Sequence, residues 1–148
     1  MTSSTATFPG RIDYFHNTKA DAKLAYGTKR QEMLSVSKGK HALDTISSWP
    51  KYQVTDLHEL KAMAEQANIG QIYYKDESKR FDLKSFKALG GAYAVTRFLQ
   101  QHLEELNGEQ PTMTQLLSGQ FKEQLKDVVV SCATDGNHGR SVAWGSQM

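Results

Sequence analysis

The sequence predicts an α/β protein in which a layered parallel sheet is flanked by helices. Segments with apolar residues every three or four positions alternate with short apolar runs, in the order helix, strand, helix, helix, strand, helix. The run at residues 128–133 is apolar or small without alternation, which is typical of a parallel strand covered on both faces. Ligands of such sheets bind at the carboxyl ends of the strands, so function is expected in the segments that follow the strands.

The composition of the 148 residues is that of a globular protein and argues against several functional classes. Hydrophobic residues make up 39% and charged residues 23%. A net charge of +2 without a basic, aromatic-rich cluster argues against nucleic-acid binding. No apolar run approaches membrane-spanning length, and the polar residues 1–7 do not resemble a signal peptide. Cys132 is the single cysteine, so no intrachain disulfide can form and the cytoplasm is the expected location.

The first half of the chain predicts an arm, two helices and a strand. Residues 1–38 show little periodicity and predict a partly extended arm, followed by one domain over residues 39–148. A short helix is expected over 40–48, with Leu43 and Ile46 facing inward. Asp56 and Glu59 have capping-box spacing and predict a second helix, which Gly70 would end in a left-handed conformation. Residues 71–75 are aromatic or β-branched and predict a strand.

The second half predicts two long helices, the strand at 128–133 and a final helix from Arg140. The first helix begins near Ser85, and its inner face comprises Leu89, Ala92, Thr96, Leu99 and Leu103. The apolar side of the next helix comprises Met113, Leu116, Leu117, Phe121 and Leu125.

Lys87 lies in the first turn of the helix that begins near Ser85. A lysine amine condenses with an aldehyde only when it is neutral, and partial burial beside an apolar ring such as Phe86 favours that form. The alternative is an ordinary solvated lysine, which most helix lysines are. Gly90 and Gly91 favour the functional interpretation, because each costs about 1 kcal/mol relative to alanine in a helix unless close backbone approach requires it.

The loop at residues 134–139 joins a predicted strand to a helix start and contains two glycines. Its free N–H groups and the helix dipole would favour a carboxylate or a phosphate. The alternative is a tight turn in which Gly136 and Gly139 adopt positive φ and Asn137 caps the helix. His138 has no second ligand at metal-binding spacing. Asp135 would repel an anion, so it either points elsewhere or removes a proton.

These two segments resemble the fold-type II pyridoxal-phosphate enzymes, the tryptophan synthase β-like superfamily. The resemblance is carried by Ser85-Phe86-Lys87 with the small-residue helix after it, and by Gly136-Asn137-His138-Gly139 about fifty residues later. The aspartate before that second motif, together with the Lys-Asp-Glu-Ser-Lys-Arg-Phe segment at 75–81, resembles the diaminopropionate ammonia-lyase branch. The resemblance extends from about Leu34 to Met148 and implies the N-terminal part of a tryptophan synthase β-like fold, truncated at the C-terminus.

The resemblance also implies a cofactor, pyridoxal 5'-phosphate, and roles for individual residues. Lys87 would form the internal Schiff base, Phe86 would pack on the pyridine ring, and Asn137 would hydrogen-bond the ring's phenolic oxygen. The loop containing Thr134, Asp135, Gly136 and His138 would bind the substrate carboxylate. Lys87 and Asp135 would remove the α-proton from opposite enantiomers.

The implied reaction is α,β-elimination of 2,3-diaminopropionate to pyruvate and ammonia, in an enzyme that is a homodimer at full length. A threonine or serine dehydratase of the same fold is the alternative enzyme, since it would share Lys87 and Asn137. A non-catalytic fragment is the alternative from another class.

Two departures from the family pattern bear on these expectations. The family's Pro-Thr-Pro-Leu element is replaced here by Gln53-Val54-Thr55-Asp56-Leu57. Family enzymes are also much longer, and the resemblance places their cofactor-phosphate cup and the residue facing the pyridine nitrogen beyond the region that this chain matches. We therefore expect the isolated chain to bind the cofactor weakly and to turn over little.

Overall fold

The computed structural model describes residues 15–148 and divides the chain into two compact units, residues 1–35 and 36–148. In the first unit, the described segment contains helix α1 (Thr28–Met33), and the Tyr26 hydroxyl donates to the carbonyl of Leu34 at 2.8 Å. Residues 1–14 of the predicted arm lie outside the described residues. The predicted division between residues 38 and 39 stays a prediction.

The second unit is mostly helical. Its elements in chain order are α2 (Val36–Ser47), β1 (Leu57–Glu59), α3 (Lys61–Ala67), β2 (Tyr73–Lys75), a 3-10 turn (Arg80–Asp82), α4 (Lys87–Asn107), α5 (Met113–Leu117), α6 (Lys122–Leu125) and α7 (Asn137–Gln147). The largest contact between elements is the packing of α4 against α7. No helix of the described residues is long and apolar enough to cross a membrane.

The sheet differs from the predicted parallel sheet. β1 and β2 form an antiparallel pair in which Leu57 lies opposite Lys75. Residues 128–133 form no regular element and have no strand partner among residues 15–148, and Val129 is 89% exposed where two covered faces were predicted. A run of residues becomes a strand only when a neighbour pairs with its N–H and C=O groups, and composition does not supply that neighbour. The parallel layered sheet is therefore not confirmed.

The helix predicted from Asp56 was placed too early. Residues 57–59 form β1 instead, because the Asp56 carbonyl accepts from the N–H of Asp76 at 2.9 Å and extends the pairing with β2. The Asp56 carboxylate accepts from the Lys79 amine at 3.0 Å, so it is not a helix cap. At the other end of α3, Asn68 rather than Gly70 adopts the left-handed conformation, with φ 54°.

Two other helix predictions also need correction. Leu43 of α2 is 57% exposed, whereas Ile46 packs against the core as predicted. The helix predicted over residues 113–125 is broken into α5 and α6 by Gly119, which has φ 78°. Thr112 and Gln115 form a capping box at the start of α5.

Aromatic rings connect the segment before the lysine helix to α7. The ring centroids of Phe81 and Trp144 are 4.8 Å apart, and Trp49 lies 5.8 Å from Phe81 and 5.6 Å from Trp144. Ala88 and Ala92 of α4 complete the buried cluster. This cluster holds the start of α4 and the body of α7 against each other, and these two elements carry the candidate site.

A buried ion pair fixes the chain just before Phe81. The Arg80 guanidinium is 6% exposed and donates to both carboxylate oxygens of Glu77, at 2.7 and 2.9 Å, and to the Thr55 hydroxyl at 2.9 Å. The hydrogen bond from Arg80 is the main cause that lowers the pKa of the Glu77 carboxyl below its ordinary value. The network ties the turn before α4 to the segment that leads into β1.

Candidate active site

An open cleft of about 660 Å³ lies where the first turn of α4 meets the loop before α7. Its lining residues are Phe86, Lys87, Leu89, Gly90, Gly91, Ala133, Thr134, Asp135 and His138. Both segments that the sequence singled out therefore face one cavity, although more than forty residues separate them in the chain. The volume lies within the range of roughly 300–1,000 Å³ that small-molecule sites occupy.

Lys87 and Asp135 meet across this cleft. The Lys87 amine lies 3.4 Å from each carboxylate oxygen of Asp135. The lysine side chain is one-third exposed and the aspartate side chain is largely exposed, so both are accessible from the cleft. At this distance the amine and the carboxylate form an ion pair at the cleft, and both are within reach of a ligand bound there.

Phe86 contributes an apolar surface to the cleft that Lys87 also lines. Its side chain is 63% exposed although the residue directly precedes α4. A large apolar ring exposed in a concave site, next to a charged group, is typical of a ligand contact rather than of a core residue.

The loop before α7 is held by Thr134. Its Oγ1 accepts from the N–H groups of Gly136 at 2.9 Å and Gly139 at 2.6 Å, so Thr134 caps the helix where Asn137 was the predicted cap. The N–H groups of Asn137 and His138 have no acceptor among residues 15–148. They remain available to a ligand at the positive end of the helix dipole.

Glycine is needed at the two positions of this loop for different structural reasons. Gly136 has φ 127°, a conformation that other residues rarely adopt. Gly139 is helical, and a Cβ there would lie 2.6 Å from Cγ2 of Thr134. The prediction of positive φ is therefore confirmed for Gly136 and wrong for Gly139, whose small size makes room for the cap.

Asn137 and His138 begin α7, but they do not face the cleft equally. His138 is half-buried and lines the cleft, whereas Asn137 is exposed and is not one of the lining residues. No group of three or more metal-ligating side chains is assembled in the described part of the chain.

Comparison with known proteins identifies the family. The model of the family described as "Pyridoxal-phosphate dependent enzyme" matches residues 49–148, a region that contains the whole cleft. The chain belongs to this family.

Two curated relatives of the chain bear the same name. The chain is 39% identical over 138 residues to the diaminopropionate ammonia-lyase of Salmonella typhimurium, a match that covers 92% of this chain and 33% of the relative. It is 37% identical over 132 residues to the diaminopropionate ammonia-lyase of Escherichia coli K12, covering 86% of this chain and 31% of the relative. The chain thus spans about one third of the length of these relatives.

The cleft residues fit the family's cofactor. Pyridoxal phosphate needs an amine to hold its aldehyde carbon, an apolar surface for its ring and donors for its oxygens. Lys87 and Phe86 line the cleft and supply the amine and the apolar ring. Asn137, which is adjacent in sequence to the lining residue His138, carries a side-chain amide that can act as a donor.

Sequence reasoning missed two features that position the site. The first is the Arg80 and Glu77 pair, for which the only signal is the Glu-x-x-Arg spacing in a segment interpreted as a charged loop. The second is Ser141, whose side chain is fully buried between α4 and α7. The sequence pattern that could have indicated this contact is the pair of small residues four positions apart on α7, Ser141 and Gly145.

Proposed function

We propose that this chain carries the cofactor lysine and the proton-transfer groups of a 2,3-diaminopropionate ammonia-lyase, which converts 2,3-diaminopropionate to pyruvate and ammonia. The observation that carries the proposal is the approach of the Lys87 amine to within 3.4 Å of the Asp135 carboxylate in one cleft. Two relatives with 39% and 37% identity bear the name of this enzyme, which favours this substrate among those of the family.

Three residues would hold the cofactor. Lys87 would bind its aldehyde carbon through Nζ, and Phe86 would cover one face of its ring. The side-chain amide of Asn137, an exposed residue, would donate to the ring oxygen. When bound, the cofactor supplies a sink for the electrons released at the substrate α-carbon.

Two groups would move the α-proton. Nζ of Lys87 would take it from one enantiomer of the substrate, and a carboxylate oxygen of Asp135 would take it from the other, approaching from the opposite side. The exposure of the Asp135 side chain leaves it free to turn from Lys87 toward a bound substrate.

The loop before α7 would orient the substrate carboxylate. Because Thr134 Oγ1 already accepts from Gly136 and Gly139, the donors left for a carboxylate are the N–H groups of Asn137 and His138 and the His138 ring. Gly136, with φ 127°, allows the backbone turn that directly precedes these donors.

Asp135 distinguishes this proposal from a threonine or serine dehydratase. We would replace the matched region of the Salmonella typhimurium enzyme by this chain and measure elimination from D- and L-diaminopropionate. Asp135→Asn should lower the rate with one enantiomer at least about 100-fold, because a general base contributes roughly 10²–10⁴-fold, and should spare much of the other rate. Asp127→Asn, an exposed aspartate outside the cleft, is the matched control. Equal losses with both enantiomers would contradict the role proposed for Asp135.

The cofactor assignment can be tested on the same chimeric enzyme, since the isolated chain is expected to bind the cofactor weakly. Incubation with pyridoxal phosphate and reduction with borohydride should label Lys87 in preference to the exposed Lys126, as measured by peptide mass spectrometry. Lys87→Arg should abolish labelling of that peptide and leave the labelling of Lys126 unchanged. Equal labelling of both lysines in the unmodified chimeric enzyme would contradict the proposal.

A homodimeric whole enzyme and a cytoplasmic location complete the proposal. Both are supported by family resemblance, and the location is also supported by Cys132, an exposed thiol without a disulfide partner in the sequence.

A further inference from the structure

The hydroxyl of Ser141 links α7 directly to the backbone of α4. Ser141 Oγ donates to the carbonyl oxygen of Lys87 at 2.8 Å and accepts from the N–H of Ala92 at 3.0 Å. The residue has 0% exposure, so water does not compete for these bonds. Both partners are backbone groups of the lysine helix, and one belongs to Lys87 itself.

Glycines allow the two helices to approach closely at this point. A Cβ on Gly91 would lie 2.5 Å from Ser141 Oγ, and a Cβ on Gly145 would lie 2.7 Å from the Cα of Ala92. Real Cβ atoms do not come so close to other atoms, so both glycines are required for the observed distance between the helices. Ser141 therefore makes a polar link within a contact between backbones.

This link joins the two helices that carry the residues on the two sides of the cleft. Lys87 is the first residue of α4, and Ser141 follows the Asp135 side of the cleft by six positions, on the second turn of α7. The separation of the amine and the carboxylate, 3.4 Å, thus depends on how α7 is placed along the first turns of α4.

We infer that Ser141 is a positioning residue, whose hydroxyl fixes the first turn of α4 and thereby holds the Lys87 amine opposite Asp135. The inference rests on the role proposed for Lys87, which it deepens by naming the group that sets the amine's position. Ser141 does not touch the cleft, so it would act through the α4 backbone and not on a ligand.

The test measures the proximity of the two cleft groups without any cofactor. A water-soluble carbodiimide joins a neighbouring amine and carboxylate as an amide, and mass spectrometry quantifies the product for each pair. The yield for Lys87 and Asp135 would be divided by the yield for Lys79 and Asp56, a pair 3.0 Å apart that does not line the cleft. This internal reference removes differences in reagent and protein concentration.

Ser141→Ala removes the hydroxyl while keeping a small side chain, so the helices can still pack. The normalised yield should fall roughly fivefold, about the factor that corresponds to one net hydrogen bond. Ser146→Ala is the matched control, since the Ser146 hydroxyl donates to the Val142 carbonyl within α7 itself. Leu103→Val is the second control, because it weakens the buried part of α4 away from the cleft. Both controls should leave the ratio unchanged.

An unchanged ratio in Ser141→Ala, or an equal fall in Leu103→Val, would overturn the inference. The first result would mean that the hydroxyl is not needed to hold the amine, and the second that general loosening of the fold is sufficient. Labelling with pyridoxal phosphate on the same variants separates this outcome from failure of the proposed function. If Lys87 is never labelled, the cofactor assignment fails while the cross-linking ratio still decides the role of Ser141.

Discussion

At the scale of single residues, the carboxylate of Glu77 is mostly buried and is held by several hydrogen bonds. It accepts from Arg80 and from the Thr55 hydroxyl, at 2.6 Å for the latter, and its side chain is mostly buried. The Lys75 amine also favours its charged form. Charged groups held in this way stabilise the fold only while both remain ionised, because a buried charge without its partner is costly.

The stability of the chain should therefore depend on Glu77 and on pH. Its folded pKa is below the ordinary value of 4.5, so its contribution is fully present above pH 4.5 and is lost as the pH falls through the folded pKa. Glu77→Gln should lower the free energy of unfolding by roughly 3 kcal/mol at neutral pH, since it leaves Arg80 buried without a counter-charge.

Urea denaturation between pH 7 and pH 3 checks both parts of this prediction. The variant should lose less stability than the unmodified chain on going below pH 4.5. Glu123→Gln, in an exposed pair with Lys126, should behave like the unmodified chain. Parallel pH profiles for Glu77→Gln and the unmodified chain would show that the Glu77 carboxylate is not the responsible group.

At the scale of elements, the packing of α4 on α7 gives two adjacent glycines of α4 different environments. The sequence predicted that Gly90 and Gly91 answer a need for close backbone approach. The structure confirms this for Gly91, which faces Ser141, whereas a Cβ on Gly90 would meet nothing within 4 Å and would only border the cleft.

Alanine substitutions at these two positions should have opposite effects on stability. Gly91→Ala should cost roughly 2 kcal/mol, because its Cβ would push α7 away from α4. Gly90→Ala should stabilise by about 1 kcal/mol, because alanine is the better helix former and the space is open. Chemical denaturation followed by circular dichroism measures both. A loss of stability in Gly90→Ala similar to that in Gly91→Ala would mean that the contact is not specific to one face.

The elements also show where sequence reasoning succeeds and where it fails. The stripe on α4 was predictable, since Ala92, Thr96 and Leu103 are all buried and each belongs to a helical repeat. The helix start predicted at Asp56 could not be corrected from the sequence. A helix cap and pairing with a distant strand compete for this residue, and only the fold decides between them. Lys87 and Asp135 were predictable as candidates from their motifs, but their meeting at 3.4 Å depends on helix packing that the motifs do not contain.

At the scale of the whole second unit, Phe81 joins parts of the chain that are far apart in sequence. Its ring contacts Trp49 and Trp144, and the Arg80 guanidinium lies 5.8 Å from the ring centroid. It is held with φ 49° in the turn before α4, so the surrounding packing imposes a conformation that the residue alone would avoid.

Phe81→Ala should therefore lower the stability of the unit by about 3–5 kcal/mol, the usual cost of removing a buried phenylalanine ring. Phe98→Ala is the matched control, because the Phe98 side chain is half exposed and its loss should cost far less. Thermal unfolding monitored by tryptophan fluorescence reports on this cluster directly through Trp49 and Trp144. Similar melting temperatures for the two variants would contradict a central role of Phe81.

The contact between Gly91, Ser141 and Gly145 has one further consequence. Glycine has no side-chain torsion and serine has a single one. A change of rotamer therefore cannot compensate for a misalignment of the helices at this contact. A slip of α7 by one residue would bring Arg140 or Val142 against a backbone that leaves no space for them. The two helices α4 and α7 can therefore pack in only one register. That register also fixes the alignment of the groups in the cleft.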